Sequence, residues 1–169
     1  MLASRGLSAF QEASELEVIQ VDNNGREHSL IPVAAKAWRK MKESAEQSGI
    51  ELVVISAFRS ISRQAEIIRR KLDSGMCIND ILKVSAAPGY SEHHTGRAID
   101  IGTPSGPHLE VEFELTEAFA WLTNNASRFG FYLSYPANNS EGYDYEPWHW
   151  CFKAPDNAFN VGAPSRLST

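Results

Sequence analysis

The run from Glu51 to Phe58, Glu-Leu-Val-Val-Ile-Ser-Ala-Phe, is β-branched enough to be a buried central strand, and a helical pattern lies on each side of it. Upstream, Pro32 opens a segment in which Ala34, Ala37, Trp38, Met41 and Ala45 recur at three- and four-residue steps until Gly49. Downstream, Ser60 is placed as an N-cap, and Ile61, Ala65, Ile68 and Leu72 mark a second amphipathic stripe ending at Gly75. A strand flanked in sequence by two such helices suits helices packed against a sheet.

The rest of the chain supplies further strands and helices. Leu16 to Val21 and Glu27 to Ile31 flank Asp22-Asn23-Asn24-Gly25, whose Asn-Gly pair tolerates the positive φ of a tight turn, and predict a β-hairpin. A short helix is expected over Asn79 to Val84. Gly96 to Ile101 reads as a strand with Ala98 and Asp100 on one face and Ile99 and Ile101 on the other. Thr116 and Glu117 start a helix that turns Phe119, Leu122, Ala126 and Phe129 inward and closes at Gly130. Phe131 to Tyr135 and Trp148 to Phe152 read as two strands joined by the turn-rich Pro136 to Tyr145. This order predicts an α+β fold: one domain over 1–169, a mainly antiparallel sheet with helices packed on it, and a C-terminal tail, 154–169, as irregular chain.

Composition narrows the function classes. With 43% hydrophobic residues in 169, the chain can bury one sizeable core. A formal net charge of -5 argues against nucleic acid as a partner. No stretch has the length and apolarity to span a bilayer, and no basic start leads into an apolar run of signal-peptide type. The sequence as it stands therefore predicts a cytoplasmic protein without membrane contact, or a periplasmic one if a targeting segment has been removed. Cys77 and Cys151 form no CxxC pair and are left open to pairing with each other. Oligomeric state is not legible.

Two segments combine residue types that carry chemistry. In Ser91-Glu92-His93-His94-Thr95-Gly96-Arg97-Ala98-Ile99-Asp100, an imidazole precedes a strand that holds a carboxylate, and the turn at Gly96 allows both to reach one ion. In Glu146-Pro147-Trp148-His149, an imidazole follows a carboxylate by three residues. Zinc accepts neutral imidazole nitrogen and carboxylate oxygen, and a catalytic zinc keeps a position open for water. A carboxylate beside the metal is what water activation requires. Taken singly, each residue also has a plainer reading: an aspartate as a turn or surface group, a histidine as a hydrogen-bonded structural residue.

The three motifs Ser56-Ala57-Phe58-Arg59-Ser60 with Gln64, the Ser-x-His-x-x-Gly-x-Ala-x-Asp pattern from Ser91 to Asp100, and Gly142-Tyr143-Asp144-Tyr145-Glu146-Pro147-Trp148-His149 occur in this order. Through them the chain from about Ser56 to Phe152, within a motif-bearing core of 51–153, resembles the zinc D-alanyl-D-alanine carboxypeptidases of the VanY type. The wider group includes D-Ala-D-Ala dipeptidases, LD-carboxypeptidases and the Hedgehog zinc domain. The resemblance implies one zinc per chain in a cleft, with His93, Asp100 and His149 as ligands and Glu146 as the base. It implies Arg59 as the group that steadies the developing oxyanion, and Gln64 and Ser91 as substrate contacts. Tyr145 and Trp148 are expected at the cleft rim and wall, where they too would meet substrate. His94 is expected to point away from the metal, and His28 and His108 to be structural.

The same resemblance implies a peptidase acting on the stem peptides of peptidoglycan, or muropeptides derived from them, that releases terminal D-alanine. A cytoplasmic location favours an LD-carboxypeptidase trimming tetrapeptides in cell-wall recycling. The alternatives are a DD-carboxypeptidase on pentapeptides, a peptidoglycan endopeptidase and a non-catalytic zinc-bearing binding domain. Glu146 and Arg59 together favour an enzyme, since a binding module needs no base beside its metal.

Overall fold

The computed structural model describes residues 7–153; the expected irregular tail lies outside them. Strands β1 (Glu17–Val21) and β2 (Glu27–Leu30) form the antiparallel hairpin, turning where Gly25 has φ of 81°. Helix α1 (Pro32–Gln47) follows, with Pro32 in its first turn, and buries Ala34, Ala35, Trp38, Met41 and Ala45. Then come β3 (Val53–Ser56), α2 (Ile61–Asp73), α3 (Ile78–Val84), β4 (Ala98–Gly102), α4 (Glu117–Asn125), β5 (Phe131–Leu133) and β6 (His149–Phe152). Short 3₁₀ turns at Glu92–Thr95, Val111–Leu115 and Ala126–Phe129 complete the described fold. It is the α+β arrangement the pattern predicts.

The main sheet has the order β3-β4-β6-β5, antiparallel throughout. The β-branched strand is therefore an edge strand, not the central one expected. Its burial comes from the hairpin beside it, where the Gln20 amide acts as a substitute strand. Gln20 Nε2 donates to Val54 O at 2.9 Å and Val54 N donates to Gln20 Oε1 at 3.0 Å. An edge strand covered in this way leaves fewer backbone groups for aggregation. The centre belongs to β4 and β6, in which every residue is buried.

Trp38, Met41, Leu52, Ile99, Ile101, Phe113, Leu122 and Phe131 meet in one core between α1, α4 and the sheet. Fully burying a side chain of this size contributes about 1.5–3 kcal/mol relative to exposure, so this cluster is the main stabiliser of the scaffold under the cleft. The late helix divides as α4 plus a 3₁₀ turn, and Gly130, at φ of 80°, closes it.

Helix α2 departs from its expected stripe. Ser60 does cap it, accepting from Arg63 N. Its buried residues, however, are Gln64 and Ile68, while Leu72 is exposed. The inward face is thus rotated toward Gln64, whose buried amide is satisfied by Arg59 and by Ala86 O. Cys77 is exposed and Cys151 buried, and both are free thiols. Among the described residues no helix is long and apolar enough to cross a membrane.

Candidate metal centre

Two neighbouring strands set the site. In the β4–β6 ladder Asp100 faces His149 directly, so the two side chains leave the same side of the sheet. His149 Nδ1 lies 3.0 Å from Asp100 Oδ1. His93 arrives from the 3₁₀ turn Glu92–Thr95, whose first residues are capped by Ser91 Oγ accepting from His93 N. The chain then reverses at Gly96, at φ of 64°, where a Cβ would come within 3.0 Å of Ile31 Cγ2. Any other residue there would be strained and would press on Ile31, Leu16 and Ala13.

His93 Nδ1 is 2.7 Å from Ala57 O, which makes that nitrogen the donor and leaves the Nε2 lone pair facing Asp100 Oδ2 at 3.2 Å. His149 is fixed from the other direction. Its Nε2 donates to Glu92 Oε2 at 2.9 Å, which turns the Nδ1 lone pair toward Asp100. Such a carboxylate–histidine pair orients a metal-ligating ring and raises its basicity. Burial raises the Glu92 pKa, but the hydrogen bond and charge of His149, with Ser134 and His93, together more than offset it and hold the carboxyl below its ordinary value. Glu92 occupies a variable position of the motif, and sequence reasoning missed it.

The metal-donor atoms of His93, Asp100 and His149 lie within 4.8 Å of one another, and all three residues are buried. His93 Nε2 and His149 Nδ1 lie 3.2 and 3.0 Å from the two oxygens of Asp100, so two imidazole nitrogens flank one carboxylate. Considering the protein's own groups, burial opposes charge on His149, yet Asp100 and Glu92 raise its pKa to about 10. Burial likewise lowers His93, with Asp100 opposing. The cluster thus presents a net attraction for positive charge, and a metal cation replacing the His149 proton would meet two imidazole nitrogens and a carboxylate. That donor set fits zinc.

Glu146 stands beside this set rather than within it. The turn Glu146-Pro147-Trp148-His149 is closed by His149 N donating to Glu146 O, which holds the carboxylate 3.8 Å from His149 Nδ1. Burial pushes Glu146 up to about 7; His149 and Arg59 pull it down, while Asp100 adds to the rise. A carboxyl with that pKa can both take and return a proton near neutrality.

Arg59 follows β3 and is anchored three ways. Its Nη1 donates to Gln64 Oε1 at 2.9 Å, its Nη2 to Ser56 Oγ at 3.0 Å, and the same Nη2 lies 3.9 Å from Asp100 Oδ2. Gln64, expected to touch substrate, is 1% exposed and spends its amide on Arg59 and on Ala86 O at 2.6 Å. It is a positioning residue. Ser91, also expected at substrate, caps the His93 turn while lining the cleft. Tyr145 and Trp148 line that cleft, and Trp148 packs on the core as well. The cleft encloses about 500 Å³ and holds Arg59, His93, Asp100, Glu146 and His149 together.

His94 points away, as expected. It is fully buried, with Nδ1 2.6 Å from Arg59 O and Nε2 accepting from Gly89 N at 3.1 Å, so it clamps the Arg59 backbone to the loop before Ser91. His28 pairs with Asp22 and His108 with Thr103 O, both away from the cleft.

A family model described as VanY, D-alanyl-D-alanine carboxypeptidase, matches residues 27–155. YodJ of Bacillus subtilis (strain 168) is 38% identical over 127 residues, covering 69% of this chain and 43% of that protein. A D-alanyl-D-alanine carboxypeptidase of Enterococcus faecalis (strain ATCC 700802 / V583) is 30% identical, covering 70% and 46%. The chain thus spans less than half the length of these two curated relatives. Among solved structures, the LdcB LD-carboxypeptidase superposes with a TM-score of 0.74 at 34% identity, over 83% of this chain and 69% of that one. The vancomycin-resistance D,D-pentapeptidase VanY, solved as a mutant in complex with Zn(II), gives 0.65 at 29%, over 84% and 80%. With the matched region running from β2 through the four-stranded sheet and every residue of the metal centre, this chain belongs to the VanY family of D-alanyl-D-alanine carboxypeptidases.

Proposed function

We propose that this protein is a zinc-dependent carboxypeptidase that releases terminal D-alanine from peptidoglycan stem peptides. The preferred substrate is the tetrapeptide, cut after its L-centred diamino acid. The observation that carries the reading is the division of labour in the cleft: three buried donors converge, and a fourth acidic group, Glu146, stands beside them. The tetrapeptide preference draws on the higher similarity to the LD-carboxypeptidase LdcB than to the D,D-pentapeptidase VanY.

His93, Asp100 and His149 would hold the metal. Zinc, when bound there, supplies Lewis acidity that acidifies water and polarises the scissile carbonyl. Glu146 accepts a proton from the attacking water at its carboxylate and returns it to the nitrogen of the departing D-alanine. The C–O bond forms as the carbonyl π electrons move to oxygen; the C–N bond then breaks, and the returned proton leaves a neutral amine. Arg59, fixed by Gln64 and Ser56, directs its guanidinium at the oxygen whose charge grows in the transition state. Being held beforehand, it needs little reorganisation when that charge appears. No serine or cysteine nucleophile enters this scheme.

The test is incubation of the zinc-loaded protein with stem tri-, tetra- and pentapeptides, with products identified by mass spectrometry. Conversion of tetrapeptide to tripeptide plus D-alanine, at higher kcat/KM than pentapeptide cleavage, is expected. Faster loss from pentapeptide would assign a DD-carboxypeptidase, and no release from either would refute the reading.

A further inference from the structure

The proposed reaction leaves one cation of the cleft without a role. Lys71 lies seven residues after Gln64 on α2, two turns along the same face, and lines the cleft with Arg59 and Glu146. Its Nζ donates to Ser85 Oγ at 2.7 Å. The next residue, Ala86, accepts from Gln64, and Gln64 holds Arg59. One dipeptide therefore holds Lys71 directly and Arg59 through Gln64, and adjacent Cα atoms are only about 3.8 Å apart. Helical side chains also lean toward the N-terminus of their helix, which tilts Lys71 back toward the Arg59 end.

The two cations differ in what they have left to offer. Arg59 is committed to Gln64 and Ser56, beside Asp100. Lys71 is half-buried, and among the described residues no carboxylate lies within 4.0 Å of its ammonium. An ammonium has three donors, and Ser85 takes one. Burial depresses the Lys71 pKa, with Glu146 opposing. A partly desolvated cation lacking a paired anion is poised to gain from one.

We propose that Lys71, held by Ser85, is the carboxylate-recognition point of this cleft, pairing with a carboxylate that the stem peptide carries within about one residue of the scissile bond. The inference rests on the carboxypeptidase reading. Two substrate carboxylates fit that reach: the C-terminal carboxylate of the leaving D-alanine, about 3.5 Å along the chain from the scissile carbonyl, or the side-chain carboxylate of an acidic diamino acid on the acyl side. The first would also confine cleavage to chain ends, because an internal residue offers no anion there.

The experiment compares wild type, Lys71→Met and Lys71→Arg on four tetrapeptides: free C-terminal acid or amide, each with a diamino acid that bears or lacks a side-chain carboxylate. Wild type should prefer the acid over the amide on the order of 10 to 100-fold in kcat/KM. Lys71→Met should reduce this to a few-fold, mainly through KM, and Lys71→Arg should recover part of it. Loss of only the preference for the acidic diamino acid would support the pairing and assign it to the side-chain carboxylate. Both preferences surviving intact in Lys71→Met would overturn the proposal. Calorimetric binding of the four peptides to Glu146→Gln, with and without Lys71→Met, repeats the comparison without turnover. An inactive wild type would therefore refute the carboxypeptidase reading, while equal binding by both backgrounds would refute the role of Lys71.

Discussion

Removing the Glu92 carboxylate should weaken zinc binding although Glu92 is not among the proposed ligands. In the structure its Oε2 receives the Nε2 proton of His149 at 2.9 Å, with the Glu92 side chain 19% exposed and that of His149 3%. A hydrogen bond to a charged group in such a setting contributes about 1.5–3 kcal/mol. With Glu92→Ala, the His149 ring loses the acceptor that selects its tautomer, and Asp100 Oδ1 at 3.0 Å becomes the competing acceptor for a proton on Nδ1. That proton would occupy the lone pair meant for the metal. Zinc affinity should fall about 10 to 100-fold, consistent with the usual effect of losing a partner behind a metal-ligating histidine. Glu92→Gln keeps an acceptor oxygen without the charge and should fall between. The assay is competition with a chromogenic chelator at fixed pH, with far-UV circular dichroism confirming the fold. Wild-type affinity in folded Glu92→Ala would refute the reasoning.

Three further outcomes follow from the geometry. His93→Ala and His149→Ala should each lose stoichiometric zinc by elemental analysis, and full occupancy in both would remove the ligand assignment. Arg59→Ala should keep zinc and lose on the order of 10² to 10³-fold, mainly in kcat, because its contact strengthens as the oxyanion forms; a loss confined to KM would contradict that role. The pH profile of kcat/KM should rise with pH through ionisation of Glu146, since the base must be deprotonated to act. Burial places that group at about 7 from the protein's own charges, and a bound cation lowers it, so the limb should fall below 7. A limb centred well above 7 would assign the ionisation to another group.

The strand-and-helix order was legible because each element's periodicity is local. What periodicity cannot supply is pairing order, which is why the β-branched Val53–Ser56 segment was read as central although it lies at the edge. Its cover, the Gln20 amide, sits 34 residues away and leaves no local signal. The metal donors were legible from motifs that fix residue type and spacing around Gly96 and Pro147. Glu92 was not, because its partner His149 is 57 residues distant and it takes the β4–β6 register together with the 3₁₀ turn before β4 to bring them together. The inward face of α2 was misread for a related reason: a helix stripe is found by counting apolar residues, and the buried face of α2 is built around the Gln64 amide that Arg59 and Ala86 satisfy.

The central claim is that metal binding and proton transfer are separate tasks in this cleft. It is tested most directly by measuring zinc content and tetrapeptide turnover on the same preparation of Glu146→Gln. Glu146 lies 3.8 Å from His149 Nδ1, outside the three-donor set, so the variant should retain one zinc per chain. Its kcat should drop by about 10² to 10⁴-fold, as for removal of a general base. Loss of zinc from the folded variant would make Glu146 a ligand, and near-normal turnover with zinc in place would contradict its role as the base.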